Sequence, residues 1–383
     1  MSGEPAEATA EMTAVDMTAV QKAALYQAAD FALPAAAADL IREAVPENTA
    51  LAYRSRWRSF EAWCRDAGRV VLPATAQTLA AYLTYLAVDR GLKATTVDAH
   101  LTAIRAVHRG TGAPVPDGLA ARKVVVAAQR REAARAGRYG PRRAVPVMAG
   151  DLPAVVAGAA ETAAGRRDRA VVLLGFALLA RRAELAALSI SDIEHVPGEG
   201  LAVTIRASKT DQSARGVVRR IHYASAEAVC PVRAVLAWLA YLAERGITTG
   251  PLFTRVDRWG NLGAGAGGRY RAEQDGRLRP QAIGDIIAAA CAAAGLTAAG
   301  QGTPGGAQAV PPTTAPGEPP AGERRRYTGH SLRRGGATSM LRAGAQPLDV
   351  SRHGRWADGS RSFAGYVEEA TGFGDANPTK GLL

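Results

Sequence analysis

The chain has 383 residues, a length that allows two or three domains, and 48% of them are hydrophobic, which indicates globular domains rather than an extended disordered chain. Abundant alanine favours a mainly helical protein, and a formal net charge of +12 favours a polyanionic partner. The three cysteines are widely spaced, so we expect neither a zinc site nor a disulfide framework. We find no signal-peptide pattern and no apolar run of about 18 residues. We therefore expect a cytoplasmic protein with no membrane span.

The charge is unevenly distributed. Residues 1–47 are alanine-rich and contain eight acidic side chains against only Lys22 and Arg42, so the positive charge lies on the rest of the chain. We expect this acidic segment to be partly disordered. A GC-rich codon bias would also enrich arginine, and the charge alone therefore does not establish nucleic-acid binding.

Apolar residues at helical spacing predict a first domain of four helices over residues 48–136. The helices are expected at about 49–66 (with Asn48 as N-cap), after Pro73, at about 94–109 and at about 119–136. In the first of them, Tyr53, Trp57 and Phe60 recur at helical spacing and are expected to pack in the core.

Residues 129–143 read QRREAARAGRYGPRR and contain six arginines and a Gly-Pro break. Their composition predicts a basic linker, which we place at residues 137–147, between two domains. Such arginines are often only solvated, but between two lobes of a basic protein they also suit contact with DNA phosphates. The expected DNA-binding residues are Arg130, Arg131, Arg135, Arg138, Arg142 and Arg143.

A second domain is expected over residues 148–372, followed by a tail at 373–383. Its predicted helices lie at about 151–161, 167–187, 231–245 and 281–294, and residues 201–224 alternate in a way that predicts short strands around a polar turn. Residues 258–276 are rich in glycine. Residues 297–322 are rich in proline and are expected to form a disordered insertion.

Four features of this second domain carry chemistry. An apolar helix runs into Arg181-Arg182-Ala183-Glu184 in LLGFALLARRAELAALSISDI, and Lys209 lies on the polar turn between the predicted strands. The string TGHSLRRGGATSMLRAG contains His330 and Arg333 in a His-x-x-Arg pattern. The string SRHGRWADGSRSFAGYVEEA places Tyr366 ten residues after Trp356.

Each feature alone has an ordinary structural explanation, but their order and spacing resemble the tyrosine recombinase (phage integrase) family. The resemblance implies a mainly α fold with a small β-sheet, in which a helical, SAM-like core-binding domain and an α+β catalytic domain form a C-shaped DNA clamp. It implies a site-specific recombinase that acts on double-stranded DNA as a homotetramer and associates with the nucleoid.

The resemblance also assigns roles. Tyr366 is the expected nucleophile, Arg181 and Arg333 bind the phosphate, and Glu184 supports Arg181. His330 handles a proton, Lys209 protonates the leaving 5′-oxygen, and Trp356 takes a position that the family fills with His or Trp. Arg182 competes with Arg181, His353 with Trp356, and Tyr327 with Tyr366.

These residue types suit transesterification of a phosphodiester. Two guanidiniums stabilise the additional negative charge of the phosphorane-like state, and a tyrosine hydroxyl attacks once its proton has left. A 3′-phosphotyrosine conserves the bond energy, so we expect no ATP, no metal and no other cofactor. The alternatives are a type IB topoisomerase, which would use nearly the same groups, and a non-catalytic DNA-binding relative.

Overall fold

The computed structural model describes residues 34–43, 45, 47–136, 144–206, 216–263, 275–296, 327–372 and 377. The chain divides into two compact units, residues 1–141 and 142–383, called here the N-terminal and C-terminal units. No helix in these described ranges is long and apolar enough to cross a membrane. The fold is mainly helical with one small sheet, as predicted.

The N-terminal unit is helical throughout its described part. Its helices are α1 (Ala35–Glu43), α2 (Glu47–Asp66), α3 (Ala76–Val88), α4 (Ala94–Gly110) and α5 (Leu119–Ala136). Helix α2 begins at Glu47, so the predicted N-cap Asn48 is wrong: that residue lies inside the first turn. Helix α3 does have a polar N-cap, Thr75, whose side chain accepts from the Thr78 amide.

Aromatic and aliphatic side chains fill the core of the N-terminal unit. Phe60 is fully buried, packs edge-on against Tyr82 of α3 with ring centroids 5.1 Å apart, and contacts the partly exposed Trp57. Glu132 of α5 accepts a hydrogen bond of 3.1 Å from the Ala94 amide at the start of α4. This bond joins α5, the helix before the predicted linker, to the start of α4.

In the C-terminal unit the core is built around one buried helix, Ala163–Ala177. Its elements in chain order are α6 (Leu152–Ala157), α7 (Ala163–Ala177), α8 (Arg182–Ala187), β1 (Ile193–Val196), β2 (Gly200–Ile205), β3 (Val217–His222), α9 (Pro231–Ala243), α10 (Pro280–Ala293), α11 (Gly329–Arg342), α12 (Pro347–Gly354) and α13 (Arg361–Thr371). The three strands form an antiparallel sheet in the order β1-β2-β3. The predicted strands correspond to β2 and β3, while β1 was not predicted.

The helix predicted at 167–187 is interrupted. Helix α7 ends at Ala177 and α8 starts at Arg182, because Leu179 adopts a left-handed backbone conformation with φ of 50°. Such a conformation costs roughly 1–2 kcal/mol for a residue with a side chain. The Leu179 side chain is nevertheless completely buried. The turn at 178–181 is where the candidate site forms.

Candidate active site

The site is built around Glu184, a buried carboxylate at the start of α8. Its Oε2 accepts from the Arg181 amide at 2.8 Å and from the Arg355 guanidinium at 2.7 Å, and its Oε1 accepts from Nη1 of Arg181 at 2.6 Å. Burial raises the pKa of Glu184, but the charge of Arg355 and the hydrogen bonds from Arg181 outweigh it and hold that pKa below its ordinary value. Glu184 is therefore a fixed anion between two guanidiniums.

Arg333 reaches the same place from α11. Its side chain is 3% exposed, and Nη1 donates to the carbonyl of Leu179, the residue with the left-handed backbone. Burial, followed by the neighbouring charge of Arg181, lowers the pKa of Arg333 to about 9, so the group stays cationic at neutral pH. Its Nη2 is buried and makes no hydrogen bond within the described structure. A buried guanidinium nitrogen that lacks an acceptor is suited to bind an oxyanion.

Trp356 separates Arg333 from Tyr366. The guanidinium carbon of Arg333 lies 3.8 Å from the centroid of the Trp356 ring, and the same ring also contacts Phe363 and Tyr366. The rings of Trp356 and Tyr366 meet edge-on, with centroids 5.7 Å apart. The preceding Gly354 is required here, since a Cβ at that position would lie 1.8 Å from the Trp356 ring.

Tyr366 lies in the middle of α13 and is partly exposed. The side chain of Ser360 caps this helix by accepting from the Phe363 amide. Phe363 is buried against α11 with Leu179, Ala337 and Leu341, so one face of α13 is held by apolar packing. The hydroxyl of a partly exposed tyrosine next to a cationic pocket is placed to react with a phosphate that enters from solvent.

Several predicted site residues come together in this pocket: Arg181, Glu184, Arg333, Trp356 and Tyr366. His330 is exposed in the first turn of α11. It precedes Arg333 by three residues, so the two residues are neighbours on the surface of the same helix. Lys209 lies outside the described residues, between β2 and β3.

The competing residues occupy other environments. Arg182 is exposed and donates to Gln281 of α10 at 3.2 Å, so the geometry favours Arg181 as the guanidinium of the pocket. The His353 ring is partly buried and hydrogen-bonds the Ala177 carbonyl at 2.8 Å. Tyr327 packs in the main core of the C-terminal unit, and burial raises the pKa of its hydroxyl.

Arg355 is a component of the site that the sequence did not reveal. Its side chain is 4% exposed, and besides Glu184 it donates to the carbonyls of His353 at 3.0 Å and Leu178 at 3.3 Å. Its backbone is left-handed, with φ of 59°. A lone arginine in a polar stretch predicts a solvated side chain, and nothing in the sequence marks the left-handed backbone at this position, which normally favours glycine.

Arg219 of β3 connects the sheet to this pocket. Its Nε and Nη2 donate to the carbonyls of His353 and Arg352 at 3.0 and 2.5 Å, at the end of α12. Burial, followed by the charge of Arg355, lowers the pKa of Arg219. The strand that follows Lys209 in sequence is thus bonded to the turn that carries Arg355 and Trp356.

The predicted DNA-binding arginines belong to α5 and to the segment after it. Arg130, Arg131 and Arg135 are exposed on α5. The others, Arg138, Arg142 and Arg143, lie outside the described residues. Among the residues that the structure describes, no group of three or more His, Cys, Asp and Glu side chains could hold a metal ion.

Known proteins resemble this chain in sequence. Residues 38–111 match the family described as phage integrase, N-terminal SAM-like domain. The chain is 28% identical over 335 residues to the integrase/recombinase xerD homolog of Selenomonas ruminantium, with 86% of this chain and 84% of that protein covered. It is 26% identical over 320 residues to the recombinase cre of Escherichia phage P1, with 83% of each covered.

A solved structure of a lambda integrase (75–356) dimer bound to a COC′ core site covers 85% of this chain and 90% of its own, with 15% identity and a TM-score of 0.47. The ordered motifs, the SAM-like match and the two relatives define the class. Together they support a tyrosine recombinase, that is, a site-specific DNA recombinase.

Proposed function

We propose that this chain cleaves and rejoins double-stranded DNA at specific sites through a covalent 3′-phosphotyrosine at Tyr366. The observation that carries the proposal is the unpaired Nη2 of buried Arg333, beside Arg181 and separated from Tyr366 by one aromatic ring. Arg181 is held by the buried Glu184 carboxylate and Arg333 by the Leu179 carbonyl, so neither cation needs to reorganise when a phosphate gains charge, which is the main requirement of this chemistry.

The reaction exchanges one phosphodiester for another. The Tyr366 oxygen attacks phosphorus, the bond from phosphorus to the 5′-oxygen breaks, and Lys209 gives that oxygen a proton as it leaves. Arg181 and Arg333 bind the non-bridging oxygens, while His330 receives or relays the proton of the tyrosine. In the reverse step a 5′-hydroxyl attacks the phosphotyrosine, so the energy of the bond is retained and ATP is not consumed.

The stoichiometry of recombination sets the assembly. Exchange of two duplexes breaks four strands, and each chain supplies one Tyr366, so four copies act together on two recombination sites. A chromosomal DNA substrate places this activity at the nucleoid. The SAM-like match over residues 38–111 supports a recombinase over a type IB topoisomerase, because that match is to phage integrases.

Trapping on a nicked suicide duplex that carries the recombination site tests the proposal. The wild-type chain should form a covalent adduct with DNA, and Tyr366→Phe should form none. Tyr327→Phe is the matched control, since it removes a buried hydroxyl outside the pocket and should leave adduct formation intact. Absence of an adduct with the wild-type chain, or its presence with Tyr366→Phe, would refute the assignment.

A further inference from the structure

Arg334 follows Arg333 in sequence but contacts a different set of groups. Its Nε and Nη2 donate to the same Oε2 of Glu369, at 3.0 and 2.5 Å, and its Nη1 donates to the Ala144 carbonyl at 2.5 Å. The Arg334 side chain is 15% exposed and that of Glu369 27%. This planar guanidinium therefore holds two separate segments at once.

One of these segments is the helix of the nucleophile. Glu369 follows Tyr366 by three residues on α13, so the two side chains belong to adjacent turns of one helix. Apolar contacts also join α13 to α11, with Phe363 and Val367 packed near Ala337 and Leu341. Apolar packing is non-directional and does not fix the position of α13 along α11. The hydrogen bonds between Arg334 and Glu369 have a defined geometry and can fix that position.

The other segment lies at the start of the C-terminal unit and overlaps the end of the predicted linker. Residues 144–149 lie along α11: the Val147 amide donates to the Ser331 carbonyl at 3.1 Å, and the Ala149 amide donates to the Ser339 hydroxyl at 3.0 Å. The approach is so close that a Cβ at Gly335 would lie 1.6 Å from the Val147 carbonyl oxygen. The entering segment, α11 and α13 are thus bonded through Arg334.

We infer that Arg334 is a positioning residue that ties the nucleophile helix to this entering segment, so that the placement of Tyr366 depends on how residues 144–149 are seated. The inference rests on the proposed role of Tyr366. It assigns no chemical step to Arg334 or Glu369, whose bonds to each other and to Ala144 account for both side chains.

Single-turnover cleavage of the suicide duplex tests whether the bond between Arg334 and Glu369 affects the reaction of Tyr366. Glu369→Gln keeps the shape of the side chain but loses the charge, and it should slow cleavage about 10-fold or more, because a small misplacement of a reacting group is costly. DNA affinity should change less than about twofold, since neither residue is proposed to contact DNA. Glu368→Gln, the exposed neighbour on the same helix, should cleave at the wild-type rate.

Two further variants test the link itself. The exchanged pair Arg334→Glu with Glu369→Arg can re-form the ion pair but puts a carboxylate, which cannot donate, beside the Ala144 carbonyl, so it should recover only part of the lost rate. Ser339→Ala, which removes the bond to the Ala149 amide, should slow cleavage in the wild-type background and have little added effect in Glu369→Gln, because the link is already broken there. Full additivity of Ser339→Ala and Glu369→Gln, or full recovery by the exchanged pair without the bond to Ala144, would overturn the inference.

Hydrogen exchange of the DNA-free protein separates this inference from the proposed function. Arg334→Ala should increase exchange both in α13 and at the amides of Val147 to Ala149, whereas Glu369→Gln should increase it in α13 alone. Unchanged exchange in α13 would overturn the link whether or not the protein cleaves DNA. If exchange increases as expected but the wild-type chain forms no adduct, the link is supported and the proposed function fails.

Discussion

The carboxylate of Glu184 is neutralised from two directions, and Arg355 is the more buried of its two partners. The side chains of Glu184 and Arg355 are each 4% exposed, while that of Arg181 is 18% exposed. Arg181 is therefore the guanidinium more open to solvent, and Arg355 is the more buried cation that helps to keep Glu184 ionised.

Replacing Arg355 by methionine should therefore leave a buried carboxylate with one cation fewer. We expect the free energy of unfolding of the C-terminal unit to fall by about 3 kcal/mol or more, as for other buried pairs that lose one partner. Chemical denaturation measures this loss. Cleavage of the suicide duplex should fall as well, because Arg181 loses its fixed support.

Two comparisons make this prediction specific. Arg352→Met, at an exposed position in the last turn of α12 just before Arg355, should leave the free energy of unfolding nearly unchanged. Adding Glu184→Gln to Arg355→Met should recover part of the lost stability, since the uncompensated charge is then gone. A double variant as unstable as Arg355→Met alone would argue that packing, and not charge, explains the loss.

The sequence predicted the residues of the site better than it predicted the groups that hold those residues in place. Arg181, Glu184, Arg333, Trp356 and Tyr366 were identified from order and spacing, and they do lie together. The support depends on burial and on backbone conformation, which a single sequence does not record. Arg355 and Leu179 both occupy left-handed positions with side chains other than glycine, and nothing in the residue types indicates that.

Among the secondary-structure elements, helices with a regular apolar period were predicted closely. The helices expected at about 94–109 and 119–136 correspond to α4 and α5 within one residue at each end. The continuous helix predicted at 167–187 was wrong, since periodicity continues through a turn whose apolar residues stay buried. Strand β1 was missed because Glu194 and His195 face solvent and leave no alternating pattern over four residues.

Helix α4 carries a buried histidine that makes the N-terminal unit sensitive to pH. His100 is 7% exposed, and its Nδ1 lies 3.1 Å from the Tyr82 hydroxyl. Burial, with a smaller contribution from the charge of Arg56, lowers the pKa of His100 to about 4 from its ordinary 6.5. The unfolded chain therefore binds a proton at a pH where the folded unit does not.

It follows that the stability of the N-terminal unit should be complete above pH 6.5 and should decline as the pH falls from 6.5 towards about 4. The expected loss is about 2 kcal/mol at pH 5 relative to pH 7.5. Pulse proteolysis in urea, with α4 peptides identified by mass spectrometry, measures it. His100→Gln should show a smaller decline, whereas His195→Gln, at an exposed position, should decline like the wild-type chain.

At the scale of the whole molecule, the family and the fold predicted from the four motifs are confirmed by the relatives and by the mainly helical structure with its single sheet. The domain limits stay predictions, as do the roles of the basic residues around the linker. Charge composition indicates a polyanionic partner but does not show which arginines meet it, because exposed cations leave no packing signature.

Removing different cations should affect DNA affinity and the rate of strand cleavage independently. Replacing the six arginines of residues 130–143 by glutamine should weaken DNA binding and flatten its dependence on salt, by about 0.9 in the log–log slope for each arginine that contacts a phosphate. Neutralising Arg166 and Arg169 is the matched control. Both already pair with Glu161 at 3.2 Å, and their loss should change the slope little.

Lys209→Ala should have the opposite effect, with DNA affinity preserved and cleavage slowed by a factor of about 10² or more, because a general acid acts only when the 5′-oxygen leaves. A duplex with a 5′-bridging sulfur at the scissile position has a leaving group that needs no proton, so this variant should cleave it nearly as fast as the wild-type chain. Tyr366→Phe should cleave neither substrate. If Lys209→Ala and the arginine variant lose binding equally, or if sulfur fails to restore cleavage, then Lys209 contributes charge to DNA binding rather than a proton to the reaction.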